Sequence, residues 1–389
     1  MNKKRTSVVF TGDIGFDRYM EGKWEDETLL SDEILDFFHK ADHVLANVEG
    51  ALIPQNEAED VHKKGFLFHT MDPRATVLLD KIHADIWDFA NNHTLDAGAA
   101  GIRNSIKVAQ EHGAQAFGAG ANVEEAAKAA FVDEAGGIGF IGVGYMPTCV
   151  RATETSAGVF AWDEIERIGK AIAEVKNKSR WCVIVCHGGE EFTVLPPPYT
   201  RDLYLKYLEL GADLVVSHHP HVPMNYERVG NKMIFYSLGN FIFDTDYQRA
   251  QLNTDKGILL RVSFSEEDYT FEALGTKIER GEEKIIAAPL ADIFTEIPEE
   301  EYKMLMPMAA RAFLANDRKR AIFVAPEKYG SYTDEQWHEF YHNCNEGKRI
   351  KERLYDYAIY ENLALQSENG EFEKSSLEKA KRYIMDHIL

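Results

Sequence analysis

Short apolar runs punctuate the chain and alternate with longer stretches in which apolar residues return every three or four positions. The runs are Val8 to Phe10, Val44 to Ala46, Ile86 to Ala90, Ile138 to Val143, Cys182 to Cys186, Leu214 to Val216 and Ile234 to Tyr236. They have strand length, and several are rich in β-branched residues. Between them, Asp32 to Lys40, Pro73 to His83, Ala100 to His112, Trp162 to Lys176 and Thr200 to Leu210 carry helical periodicity with one apolar face. This alternation predicts an α/β layered fold in which each helix covers a sheet face.

Gly257 to Phe264 and Phe271 to Arg280 read as later strands that close the core as a hairpin or sheet edge, and the core is expected to end near Leu290. From Glu296 onward the sequence turns charged, tyrosine-rich and helix-forming, with Ser375 to Leu389 as a last amphipathic helix. The expected division is therefore a core domain over 1–290 and a helical C-terminal appendage over 291–389, which could serve partner binding or dimerisation.

With 389 residues, 45% hydrophobic and 28% charged, the chain has ample length to bury a core. Its 64 acidic against 43 basic residues give a net charge of −21. That field repels nucleic acid and anionic lipid, so an anionic substrate needs a local positive centre from metal ions or a few arginines. The N-terminal apolar run covers only Val8 to Phe10, far below a signal-peptide core, and no stretch approaches a membrane span. The expectation is a cytoplasmic protein. Cys149, Cys182, Cys186 and Cys344 have neither metal-finger spacing nor a disulfide framework and read as reduced, mostly buried thiols.

Polar residues able to bind metal follow the apolar runs with regularity: Asp13, Glu49, Asn92, His187, His219 and His221. The loops at the carboxyl ends of strands in an α/β sheet line one crevice, so these residues are expected to converge. Carboxylate, amide and imidazole without thiolate suit manganese, iron or zinc. Glu49 is the candidate bridge between two cations, which at about 3.5–4 Å separation can activate a water and stabilise a leaving oxygen. Alternation along an extended segment, stiffened by Pro220, would place His219 and His221 on one side.

The bland alternatives stand beside these. Gly12-Asp13 alone is a common turn, and Asn91-Asn92 could cap the following helix. Asp96 reads as structural, and His218 as a core histidine or one that points away. Arg18 could contact an anionic substrate by bidentate hydrogen bonds or pair with nearby acids. Glu190 could orient His187 or lie exposed, and Ser237 to Asn240 reads as a tight backbone turn supporting the site.

Gly12-Asp13 with Arg18, Asn47-Val48-Glu49, Asn91-Asn92-His93-Thr94-Leu95-Asp96 with Gly98, His187-Gly188-Gly189-Glu190, Gly211-Ala212-Asp213 leading to His219-Pro220-His221, and Ser237-Leu238-Gly239-Asn240-Phe241 occur in an order and spacing that resemble the CapA family, named for capsule and poly-γ-glutamate synthesis. That family is similar to the calcineurin-like metallophosphatases. The resemblance implies a four-layer αββα sandwich with a dinuclear metal site. Carried over, Asp13, Glu49 and His221 would hold one metal, and Glu49, Asn92, His187 and His219 the other. His93 would stand beside them as proton donor or transition-state stabiliser. Two positions depart from the patterns: Gly15 stands where calcineurin-like enzymes carry a first-loop histidine, and Gly188 where CapA proteins often carry Trp, which predicts a more open pocket wall.

The leading expectation is a metal-dependent hydrolase acting on a phosphoester or an amide/γ-glutamyl bond, linked to capsule or poly-γ-glutamate metabolism. Its substrate would be an anionic small molecule or a γ-glutamyl polymer or peptide. The rival is a non-catalytic metal-binding scaffold, or a protein that binds an anion or polymer, supported by the missing first-loop histidine.

Overall fold

The computed structural model describes residues 5–54, 69–146, 148–290, 294–303, 305, 322 and 325–337. One sheet runs β18 (Lys284–Ala288), β17 (Tyr269–Glu279), β16 (Lys256–Phe264), β1 (Thr6–Ile14), β2 (His43–Val48), β5 (Ile86–Asp88) and β6 (Gln115–Phe117), with β15 (Asn240–Ile242) also paired to β1. The other runs β13 (Tyr226–Val229), β14 (Lys232–Phe235), β12 (Leu214–His218), β11 (Trp181–His187), β9 (Ile138–Gly144) and β8 (Ala130–Val132). Two small ribbons pair β3 (Ala51–Leu52) with β4 (Thr70–Met71) and β7 (Ala119–Gly120) with β10 (Gly158–Val159). The apolar runs of the sequence are these strands. Gly257 to Phe264 and Phe271 to Arg280 form the antiparallel β16–β17 hairpin, which lies at one side of the first sheet.

The strand alternation sorts side chains into three apolar layers. Val8, Phe10, Leu45 and Ile86 from the first sheet meet Phe140, Val183, Val185, Leu214 and Val216 from the second, filling the space between them. The outward residues of the first sheet, such as Val9, Val44 and Ala46, pack on α1 (Asp32–His39), α2 (Thr76–Lys81) and α3 (Gly98–Glu111). Those of the second, such as Cys182, Ile184 and Val215, pack on α4 (Val123–Ala126), α5 (Ile165–Lys178) and α6 (Pro198–Leu210). Strands buried on both faces read as near-continuous apolar runs, which is why the sequence shows runs rather than clean alternation. The result is the expected four-layer αββα sandwich.

Strands β1, β2, β5 and β6 run parallel, as do β9, β11, β12 and β14. Their carboxyl ends open on one edge of the sandwich, next to the short α7 (Asp246–Arg249). Beyond Leu290, Phe294 joins the inter-sheet core, the Tyr226 N–H donates to the Thr295 carbonyl and its carbonyl accepts from the Ile297 N–H, and the Tyr302 hydroxyl donates to the Pro196 carbonyl at 2.9 Å. The helix expected over Ser375 to Leu389 lies outside the described residues, as does Cys344. Cys149, Cys182 and Cys186 are buried, and burial pushes the Cys182 and Cys186 thiols up to about 12. Among the described residues no helix is long and apolar enough to cross a membrane.

Candidate metal centre

Each candidate ligand leaves the end of a parallel strand. Asp13 is the penultimate residue of β1, and its register opposite Asn47 of β2 lets Asn47 Nδ2 donate to Asp13 Oδ1 at 2.7 Å. Glu49 follows β2 directly, anchored by its N–H to the Ile14 carbonyl at 2.8 Å. The turn after β5 is built by Asn91, whose Oδ1 accepts from the His93 N–H at 3.1 Å and whose Nδ2 donates to the Val48 carbonyl at 2.7 Å. It presents Asn92 and His93, while α3 starts only at Gly98 with Ala97 as its cap, so Asn92 is not a helix cap. His187 ends β11, and His219 and His221 follow β12. Gly12 is required sterically, because a Cβ there would lie 2.2 Å from the Gly239 carbonyl oxygen.

The two imidazoles after β12 converge by a different route from the one expected. His219 and His221 have φ of 92° and 58°, in the left-handed region, so an extended segment with alternating side chains is not what aims them. Non-glycine residues rarely adopt that conformation, and such residues cluster where function demands a particular side-chain direction.

All six candidate ligands are buried and come together. Glu49 Oε1 lies 3.5 Å from His187 Nε2 and 3.7 Å from His221 Nε2. Asp13 Oδ2 lies 3.2 Å from His221 Nδ1, and its Oδ1 3.9 Å from His187 Nδ1. Asn92 Oδ1 stands 2.8 Å from His187 Nε2. Donor atoms of Asp13, Glu49 and His187 lie within 4.8 Å of one another, as do those of Glu49, His219 and His221. Glu49 is common to both triads, the position the resemblance implies for a residue shared by two ions.

Both oxygens of Glu49, Asp13 Oδ2 and His219 Nδ1 are buried without a hydrogen-bond partner. Such atoms are costly to leave unpaired, and a cation satisfies them at once. The donor set is entirely oxygen and imidazole nitrogen, so these residues fit divalent manganese, iron or zinc.

The site is electrostatically polarised. Burial raises the Asp13 pKa, but His221, His187 and His218 outweigh it and bring the carboxyl down to about 2. Burial opposes charge on His221, yet Glu49 and Asp13 carry it up to about 10. His219 goes the other way, well below its ordinary value, because burial dominates and His187 adds repulsion. Burial lowers His218 to about 4, and its Nε2 donates to the Thr11 carbonyl at 2.8 Å, which makes it the core histidine expected.

His93 reaches the site, with Nε2 3.9 Å from Glu49 Oε1. Its Nδ1 bonds Asp96 Oδ2 at 2.6 Å, so Asp96 orients the ring as well as shaping the turn. The i,i+3 spacing of His93 and Asp96 was the available signal. Asp96 also accepts from the His69 N–H at 3.0 Å; the His69 ring packs edge-on against His93 at 4.1 Å between centroids, and its Nδ1 bonds Asp17. Nothing in sequence spacing marks His69. Arg18 has a half-exposed side chain beside Asp17 and φ of 53°. Glu190 accepts from the Tyr145 and Tyr199 hydroxyls at 3.0 and 2.7 Å, while its neighbour Glu191 lies 3.9 Å from His219 Nε2.

The pocket wall at Gly188 is not open. A Cβ there would sit 3.1 Å from both the Trp162 ring and Tyr145 Cβ, so an aromatic from elsewhere fills the space. At Gly15 a Cβ would lie 2.6 Å from the Phe243 ring, which stands where a first-loop histidine would need room.

Fold and centre together define a four-layer α/β protein with a buried carboxylate and imidazole cluster at the carboxyl ends of its parallel strands. The family model described as "Bacterial capsule synthesis protein PGA_cap" matches residues 7–245, and the chain belongs to that family, which is of the calcineurin-like metallophosphatase type. It is 28% identical over 253 residues to the "PGA biosynthesis protein CapA" of Bacillus subtilis (strain 168), covering 63% of this chain and 65% of the relative. It is also 28% identical over 222 residues to the "Capsule biosynthesis protein CapA" of Bacillus anthracis, covering 55% of this chain and 54% of the relative. The match thus spans less than two thirds of either relative. Among solved structures, the Thermus thermophilus sulfate thiohydrolase SoxB in complex with glycerol aligns with a TM-score of 0.37 and 11% identity, over 72% of this chain and 56% of that one, a likeness too slight to carry an argument.

Proposed function

We propose that the chain is a metal-dependent hydrolase with a dinuclear centre, cleaving a phosphoester or an amide/γ-glutamyl bond in capsule or poly-γ-glutamate metabolism. The observation that carries this reading is the Glu49 carboxylate. It is fully buried, neither oxygen has a hydrogen-bond partner, and three imidazole nitrogens lie 3.5, 3.7 and 3.9 Å from Oε1. A carboxylate so placed is suited to bridge two cations, with Asp13, Asn92, His187, His219 and His221 completing the ligand set. When bound, the ions supply Lewis-acid polarisation and lower the pKa of an attacking water.

The remaining work falls to side chains of the chain. Asp96 can only accept, so His93 Nδ1 is the donor of their bond, and His93 Nε2, 3.9 Å from Glu49 Oε1, holds or delivers a proton at the leaving group. Arg18 supplies a planar cation at the rim for an anionic substrate. The names of the two Bacillus relatives, which refer to PGA and capsule biosynthesis, favour a glutamyl polymer or peptide over other anions.

A second reading, a non-catalytic scaffold or polymer-binding protein, is favoured by Phe243 filling the space beside Gly15. The two separate in one experiment. Protein loaded with manganese, iron or zinc is assayed on p-nitrophenyl phosphate and on γ-glutamyl p-nitroanilide, alongside His219→Ala. Turnover by the parent that the variant loses supports the hydrolase; firm metal binding with no turnover on either supports the scaffold.

A further inference from the structure

His221 Nδ1 has two oxygens within reach, Asn240 Oδ1 at 2.8 Å and Asp13 Oδ2 at 3.2 Å, and its hydrogen bond runs to Asn240. Which end of an asparagine amide faces a partner is decided by its other contacts. Asn240 Nδ2 lies 2.9 Å from the Thr254 carbonyl oxygen and 3.1 Å from Gln248 Oε1. A carbonyl oxygen only accepts, so the amide nitrogen must face Thr254 and the amide oxygen must face His221. That oxygen also only accepts, so His221 Nδ1 must carry a hydrogen. The lone pair available to a cation is then on Nε2, the nitrogen 3.7 Å from Glu49 Oε1. Asp13 Oδ2, not drawn into this bond, stays without a hydrogen-bond partner.

The amide is itself held rigidly. Asn240 opens β15 in register with Asp13 of β1, and it is 1% exposed. A Cβ at Gly257 would lie 2.0 Å from the Asn240 carbonyl oxygen, so the backbone is clamped from the other side. Gln248 sits in α7, which is capped by Thr245, and its carbonyl accepts from Thr254 Oγ1 at 2.6 Å.

We propose that Asn240 is a positioning residue: braced by Gln248 and Thr254, it fixes the Nδ1–H form of His221 and so aims Nε2 at the ion beside Glu49. This rests on the metal-centre reading above. Outer hydrogen-bond partners of this kind hold ring orientation, and their loss costs about 10- to 100-fold in metal affinity.

The test is calorimetric titration of the metal-free full chain with Mn²⁺, with thermal melts to verify folding. Asn240→Asp keeps an acceptor opposite Nδ1 but sets a carboxylate against the Thr254 and Gln248 oxygens; Asn240→Leu removes the amide acceptor and leaves Nδ1 only Asp13 Oδ2, 3.2 Å away. The expected result is a loss of about 10- to 100-fold for one ion in the Leu variant and a distinctly smaller loss in the Asp variant, which keeps the acceptor but not the braces. A purely structural role would make Asp as damaging as Leu, so equal losses, or no loss in either, overturn the assignment. A parent chain that binds no Mn²⁺ removes the metal-centre reading and this inference with it, whereas a parent that binds normally beside indistinguishable variants removes the positioning role alone. Should Asn240→Leu fail to fold, Gln248→Leu leaves His221 and Asn240 in place with one of the two braces removed. It is expected to weaken the same ion, and unchanged affinity would count against the proposal.

Discussion

His93 and Asp96 make the sharpest single-residue prediction, because one touches the space beside Glu49 and the other only holds it. His93→Ala should lower kcat by about 10²- to 10⁴-fold, the usual worth of a positioned acid, with metal content unchanged. Steady-state kinetics beside elemental analysis checks both halves; a parallel loss of metal would mean that His93 is a ligand. Asp88 makes a prediction about stability. It is fully buried at the end of β5, its Oδ2 has no partner, and burial raises its pKa to about 7 from 3.8. Between those values the folded chain holds a proton that the unfolded chain has released, so this group makes stability fall as pH rises, by up to about 1.4 kcal/mol for each pH step of one. Asp88→Asn removes the titration. In chelator, its melting temperature relative to the parent should climb from pH 4.5 to pH 8, and a difference that stays flat would show that Asp88 is ionised throughout.

Among the elements, α6 and β13 are joined by a buried ion pair. Arg201 donates to both oxygens of Glu227 at 2.9 and 2.6 Å, Tyr236 donates to the same carboxylate at 2.8 Å, and the guanidinium lies 4.9 Å from the centre of the Tyr302 ring. Glu227→Gln leaves the buried guanidinium without its counter-charge and should cost about 3–5 kcal/mol in urea unfolding. A loss below about 1 kcal/mol, the range of exposed pairs, would place the pair effectively in water. The elements themselves were legible in the sequence because strands buried on both faces and helices with one apolar stripe leave strong periodic traces. The α6 helix, expected from Thr200, begins at Pro198, where proline suits a first turn that lacks hydrogen-bond partners anyway. What the periodicity could not carry was backbone handedness. The left-handed conformation at His219 and His221 leaves no apolar pattern, so the segment read as extended.

At the scale of the whole molecule, the six candidate ligands were legible because each stands just past an apolar run, and parallel strands bring such positions to one edge. Their supports were not. Asn47, His69, Glu191 and Asn240 act through contacts between segments distant in sequence, which no spacing marks in advance, while Asp96, whose i,i+3 spacing to His93 was a signal, looks like turn chemistry. The replacement of side chains at Gly15 and Gly188 by Phe243 and Trp162 is equally a tertiary event. The net charge of −21 lends further weight to the centre, since within so acidic a chain an anion needs concentrated positive charge, which two divalent ions would provide. The central claim is therefore a count. Elemental analysis of the full chain, loaded with manganese and freed of excess metal, should find about two ions per chain in the parent and fewer in Glu49→Gln. One ion or none in the parent, or a Glu49→Gln variant that keeps both, would contradict the bridging role assigned to Glu49.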